Sequence, residues 1–302
     1  MRAPSFAEAA ADYRRAVGGT VSADSARRLT EGFGHATIAL RTAEVRKVYD
    51  LEQGDIGSIE PIAAIAGQAN ISTDGTMILV RGEGWKEVKL TVISRCEIID
   101  TENGRKVKLD EHSCQAGLWD ADTMARHQYL EGLRRGLITC EKLSSVNDAA
   151  PWIGRITEDN FPHVVLIVDW PHAKQRLFTV SQELFGEGGE AATEWAEAKA
   201  DLLWQGDVAA IISALNAFPN DETAYRAQGY FAGHAEQMEY ARFRHEGYPV
   251  GSGTVESGGK NYVQRRMKRP GPGWNRDTGQ AMLSGLSELH SGRFDAVWEQ
   301  CA

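Results

Sequence analysis

Hydrophobic and polar positions change period several times along the chain. Ala69 to Ile78 is strand-like, and Val88, Leu90 and Val92 alternate with polar residues as in a half-buried strand. Lys106 to Leu109 predicts a third strand, and the spacing predicts an antiparallel meander. Leu130, Leu133 and Leu137 then recur at helical spacing, within a helix expected from Asp120 to Arg135 and ending near Gly136. Leu143 to Val146 predicts a short strand leading to Asp148. Val164 to Val168 is continuously apolar and bounded by Pro162 and Pro171, the pattern of a strand buried on both faces. From His172 to His245 the pattern is helical. Ala173, Leu177, Val180 and Leu184 share one face; Val208, Ile211, Ile212 and Leu215 share another. A last helical region opens at Gly251 to Gly253 and is interrupted by Pro270-Gly271-Pro272.

Ahead of the strands, Phe6 to Val17 reads as a short helix broken by Gly18-Gly19. Ser22 then caps a second helix, expected from Ala23 to about Phe33. Two short helices around a glycine turn fit either a helix-turn-helix or a plain helical hairpin. Lys47 to Gln68 mixes acids, glycine and proline and reads as a linker. The expected organisation is a helix-turn-helix-like segment over 1–46 and a linker over 47–68. A core follows over 69–171, then an all-helical insertion over 172–250 and a C-terminal helical part over 251–302. Three strands, a helix, two strands and a helical block predict an α/β protein. The order resembles an RNase H-like mixed five-stranded sheet with flanking helices and an all-helical insertion before the last helix of the core. Fold by itself does not give function.

The 302 residues carry a net charge of −9, which taken alone disfavours nucleic acid as a partner. The distribution changes that picture. Gln264 to Arg276 holds Arg265, Arg266, Lys268, Arg269 and Arg276 with no acid among them, and Arg14, Arg15, Arg27 and Arg28 form a second basic cluster. Each cluster also fits a solvated face. The longest apolar run is far too short to span a bilayer, the start lacks a secretory apolar stretch, and Cys96, Cys114, Cys140 and Cys301 show no metal-binding spacing. A protein of the reducing cytoplasm, without membrane contact, is expected.

Three acids fall where this fold would bring them together. Asp74 lies on the first strand, Asp148 ends the fourth, and Glu256 begins the helix after the insertion. Clustered carboxylates repel one another and so favour a hard cation such as Mg²⁺ or Mn²⁺. Phosphodiester chemistry commonly uses two such ions about 3.5–4 Å apart. Asp-Gly is also an ordinary turn signal, and acids at strand ends are frequent. Asp169 ends the stronger strand, so pattern alone prefers it to Asp148 as the second ligand. A helix starting at Glu256 would align Glu256, Lys260, Gln264 and Lys268 on one face. Gly258 and Gly259 would each cost that helix about 1 kcal/mol. Trp274 fits either stacking on a base or packing in the core.

Gly251-Ser-Gly-Thr-Val-Glu256, Gln264-Arg-Arg-Met-Lys268 and Gly273-Trp274 resemble the C-terminal signature of ISKra-type insertion-sequence transposases, within the Mutator-like DDE group. Asp74-Gly75-Thr76, Lys86-Glu-Val-Lys89, Asp148-Ala-Ala-Pro-Trp-Ile153, Phe161-Pro162, Asp169-Trp-Pro-His-Ala173 and Ser291-Gly-Arg-Phe294 to Trp298 match further motifs in order, from about residue 70 to the end. The resemblance implies catalytic and metal-binding roles for Asp74, Asp148 and Glu256, two Mg²⁺ or Mn²⁺ ions, and a supporting Asp169–His172 pair. It implies cleavage of double-stranded DNA at element ends, strand transfer to a target, and a homodimer or larger assembly at the bacterial nucleoid. Lys260, Arg265, Arg266, Lys268, Arg269 and Arg276 would face DNA, giving salt-dependent binding. Two departures stand out: Ala149 occupies a position that is usually glycine, and the N-terminal region is short. The alternatives are a truncated, inactive transposase that binds DNA, or another RNase H-like nuclease.

Overall fold

The structure is a computed structural model that describes residues 3–49, 56–101, 104–253, 255, 259–268 and 273–301. Its centre is a five-stranded open sheet of β1 (Gln68–Val80), β2 (Gly84–Thr101), β3 (Gly104–Gly117), β4 (Lys142–Asn147) and β5 (Val165–Val168), in the order β3-β2-β1-β4-β5. β1, β2 and β3 pair antiparallel, while β1, β4 and β5 run parallel. The expected meander is present, with longer strands than the alternation marked. The architecture is therefore α/β with a mixed sheet and flanking helices.

The parallel part needs crossovers. α3 (Ala121–Arg134) joins β3 to β4, and α4 (Pro151–Asn160) joins β4 to β5. The first is capped by Asp120, whose side chain accepts from Thr123 N–H; the sequence placed Asp120 at the start of this helix. The second was not anticipated. Its short Pro-Trp-Ile-Gly-Arg-Ile start has too few apolar positions to set a period, and its helical state rests on burial of Ile153, Ile156 and Thr157.

The helical block comprises α5 (Trp170–Phe185), α6 (Glu190–Trp204), α7 (Val208–Leu215), α8 (Glu222–Gly233) and α9 (Tyr240–Glu246). Asp207 and Asp221 cap α7 and α8. The predicted faces point inward: Ala173, Leu177, Val180, Val208, Ile211 and Leu215 form one core with Val146, Ile167 and Val168 of the sheet. Tyr240 fastens this block to β5, its hydroxyl donating to Val168 C=O at 3.0 Å.

The N-terminal reading changes most. α1 (Phe6–Val17) matches, but α2 runs from Ala23 to Tyr49 rather than stopping near Phe33. α2 docks along α10 (Arg276–His290) and touches α11 (Phe294–Cys301), where Phe33 meets Phe294 at 4.5 Å. Gly34 permits the approach, since a Cβ there would sit 2.1 Å from Ala281 C=O. The described residues of the segment read as 1–46 plus a linker thus pack on the main body through α2. Val48, Ile59 and Ile65 are buried within the span read as linker. Local sequence marked the break at Gly18-Gly19 but not the distant surface that extends α2.

Between these helices the chain departs from the predicted register. Gly259–Gln264 is a π-helical turn, followed by a single α-turn at Arg265–Met267. A π-turn carries more residues per turn than an α-helix, so the expected i, i+4 spacing is not kept over Gly259–Gln264. Among the described residues, no helix is long and apolar enough to cross a membrane.

Candidate functional site

β1 and β4 pair from Gln68↔Lys142 to Ile71↔Ser145. Continued by three positions, that register sets Asp74 level with Asp148. β4 and β5 pair up to Asn147↔Val168, which sets Asp148 level with Asp169. Asp148 and Asp169 therefore follow the carboxyl ends of β4 and β5 directly, and Asp74 lies level with them in the middle of β1, which runs on to Val80. Ligands of open α/β sheets commonly bind in the crevice outside those ends.

The surroundings separate the three. Asp74 is half-buried, and one of its oxygens accepts its neighbour Gly75 N–H at 2.7 Å. Strand alternation puts Asp74 on the same face as Thr76. The Thr76 hydroxyl accepts from Gln264 Nε2 at 3.0 Å, so this face looks toward the C-terminal segment. Asp148 is exposed and accepts Ala150 N–H at 3.1 Å, ordering the turn into α4. Asp169 is fully buried. One of its oxygens accepts His172 N–H at 3.0 Å and lies 2.7 Å from His172 Nδ1; the other accepts Ser252 N–H. Asp169 is the cap of α5, and both of its carboxylate oxygens are engaged by protein groups. The strand pattern that favoured it over Asp148 picked out a capping residue.

Glu256 lies outside the described residues, but its flanks do not. Ser252 is buried and held by Asp169, and Val255 packs with Ile78, Val80, Val88, Leu90 and Val92. Those residues share the β1–β2 face that carries Asp74, because Asp74 pairs with Leu90. Among the described residues, no group of three or more metal-ligating side chains gathers in one place; Glu256 is not among them.

Ala149 follows Asp148 with a φ of 67°, in the left-handed region that suits glycine. The position at which this chain carries alanine is thus one where a Cβ carries strain. Beside this turn, a cleft of about 360 Å³ opens between α4 and the helical block, lined by Asn147, Ala149, Ala150, Arg155, His234 and Gln237 among others.

The basic residues divide. Arg265 and Lys268 are exposed, with Lys268 Nζ 5.8 Å from the Trp85 ring centre. Arg266 is buried; it donates to Pro4 C=O at 3.1 Å and stacks on Phe6 at 4.3 Å. It packs α1 onto the body, and the DNA contact expected of it is not retained. Arg276 grips Glu83 through three hydrogen bonds of 2.7–3.0 Å, and those bonds hold the Glu83 carboxyl below its ordinary range. Its charge is committed within the protein. Arg269 and the side chain of Lys260 lie outside the described residues. Trp274 packs in the core, its Nε1 donating to Met267 C=O at 2.9 Å, and its backbone bridges to Val80. Gly273 before it has φ 74°, and a Cβ there would lie 2.9 Å from Leu79 C=O.

Sequence reasoning missed Asn147. Its amide oxygen accepts Thr73 N–H at 2.6 Å, and its amide nitrogen donates to Ser145 Oγ at 2.7 Å. The available signal was a polar residue closing a buried strand directly before a candidate acid. Neither a scan against models of known protein families nor a search of curated proteins finds a match for this chain.

Proposed function

We propose that the chain is a metal-dependent DNA strand-cleaving and strand-joining enzyme, a DDE-type transposase with an RNase H-like core. The observation that supports it most is the level alignment of Asp74, within β1, and Asp148, just past the end of the neighbouring parallel strand β4, with Val255 packed on Asp74's sheet face. The strand order β3-β2-β1-β4-β5, with β2 running opposite to the other four strands, agrees with the RNase H-like reading.

Asp74, Asp148 and Glu256 would hold two divalent cations. The donor set fits hard cations: it is all carboxylate, and Asp148 turns an exposed side chain outward from its strand end. When bound, the cations would supply an activated oxygen nucleophile and charge neutralisation at the leaving oxygen. The protein's own residues then have three tasks. Asp74 and Asp148 fix the position of the scissile phosphate relative to the sheet. Asp169, the cap of α5, holds the Ser252 end of the segment that leads to Glu256. Arg265 and Lys268 draw the phosphate backbone toward that segment.

The test is cleavage and joining on DNA carrying the element's end sequence, with Mg²⁺ and with Mn²⁺. Asp74→Asn, Asp148→Asn and Glu256→Gln should each reduce turnover at least 100-fold while leaving the fold intact. Full activity in Asp148→Asn, with loss in Asp169→Asn, would overturn the assignment. Tight end-specific binding without cleavage by the wild-type chain would establish the non-enzymatic, DNA-binding reading instead.

A further inference from the structure

A hydrogen-bonded line crosses the mouth of the crevice and ties together the three segments that carry Asp74, Asp148 and Glu256. It starts at Thr73, whose N–H donates to the Asn147 side-chain oxygen at 2.6 Å. Asn147 in turn offers its backbone C=O to Asp169 N–H at 2.7 Å. The Asp169 carboxylate accepts Ser252 N–H, and Trp170 N–H donates to Val250 C=O at 2.9 Å. Thr73 precedes Asp74, Asn147 precedes Asp148, and Ser252 lies four residues before Glu256.

The first link replaces a missing ladder bond. Backbone pairing between β1 and β4 stops at Ile71↔Ser145, three positions before the acids. Beyond that point parallel strands are free to splay. The Asn147 amide bridges the gap, and Asn147 is itself buried and held by Ser145. Thr73 is fixed on its other side, its hydroxyl 3.0 Å from Thr91 Oγ1 and accepting from Gln128 Nε2 at 3.1 Å. Buried, fully connected networks of this kind hold a single geometry.

We infer that Asn147 is a positioning residue which sets the separation of Asp74 and Asp148, and so the affinity of the site for divalent cations. This rests on the carboxylate reading of the site given above. Asn147 touches neither cation nor DNA in this role; it acts through Thr73 and Asp148. Residues that orient metal ligands from behind typically change affinity by about 10–100-fold when lost.

The experiment uses the full chain without DNA. Mn²⁺ binding is titrated by electron paramagnetic resonance, and amide exchange over residues 68–76 is followed by mass spectrometry. Asn147→Ala should weaken Mn²⁺ binding at least tenfold and speed exchange at Thr73, while thermal melting shows a folded protein. Asn147→Asp keeps the acceptor for Thr73 N–H and should restore slow exchange and most of the affinity. If Asn147→Ala does not fold, Asn147→Ser carries the same comparison. Faster exchange with unchanged Mn²⁺ affinity would reduce Asn147 to a fold residue and overturn the inference alone. Loss of binding in Asp74→Asn, against unchanged binding in Asn147→Ala, would do the same. Failure of the wild-type chain to bind Mn²⁺ would overturn the carboxylate reading and this inference with it.

Discussion

Replacing Arg293 with Met should destabilise the protein by about 3–5 kcal/mol at pH 7, the usual cost of stranding a buried ionic partner. Arg293 is buried and makes a paired contact with Glu131 at 2.7 and 3.0 Å, plus a bond to Glu288 at 2.8 Å. Glu131 and Glu288 are both fully buried. Arg41 holds Glu288 from α2, and Arg134 lies 3.3 Å from Glu131 on α3. The network joins α2, α3 and α10 to the loop after α10. Burial alone would raise both carboxyl pKa values, but the guanidinium groups outweigh it and hold both below their ordinary value of 4.5. The sign follows from linkage. Groups with depressed folded pKa values stabilise the protein above about 4.5, and that stability is lost as pH falls below it. Each carboxylate contributes a slope of about 1.4 kcal/mol per pH unit there, so the pair contributes ~2.7. Urea denaturation followed by tryptophan fluorescence, at pH 7 and through pH 5 to 3, measures both quantities. Arg293→Met should show the full loss at pH 7 and a gap to wild type that narrows in acid. A loss under 1 kcal/mol at pH 7, or a gap independent of pH, would refute the reasoning.

Two further outcomes follow from single positions. Ala149→Gly removes a Cβ from a left-handed residue and should stabilise by about 1 kcal/mol, seen as a rise of about 2 °C in the thermal midpoint; a fall in the midpoint would show that the turn carries no such strain. His127 stacks on Trp119 at 4.0 Å, and burial, reinforced by Arg134 and Arg41, lowers its pKa from 6.5 to about 4. Its neutral form is the folded form, so stability is complete above pH 6.5 and falls by up to ~3 kcal/mol as pH drops toward 4. His127→Phe should flatten the denaturation midpoint over that window, and an unchanged pH profile would exclude His127 as the titrating group.

What the sequence determined by itself was local. Two-residue alternation, the apolar run before Asp169 and the helical stripes of 172–250 correspond to strands and helices, because each such pattern has apolar surface to bury whatever the partner. The caps at Asp120, Asp207 and Asp221 likewise act within three residues. Asp74 and Asp148 were legible for the same reason, as an acid on the first strand and an acid just past the end of the fourth. What only the tertiary structure decided depends on partners far along the chain. Arg41 and Glu288 meet across 247 residues, and no periodicity encodes that meeting. Arg266 looks like its exposed neighbours Arg265 and Lys268 until Phe6 and Pro4 are placed against it. α2 outruns its local signal because α10 offers a surface to cover. Asp169 and Asn147 show the limit most plainly. Both are polar residues at strand ends, and only the folded chain shows one bound to Ser252 and the other bridging to Thr73. Hydrogen bonding across strands depends on register, and register is a property of the whole sheet rather than of any one segment.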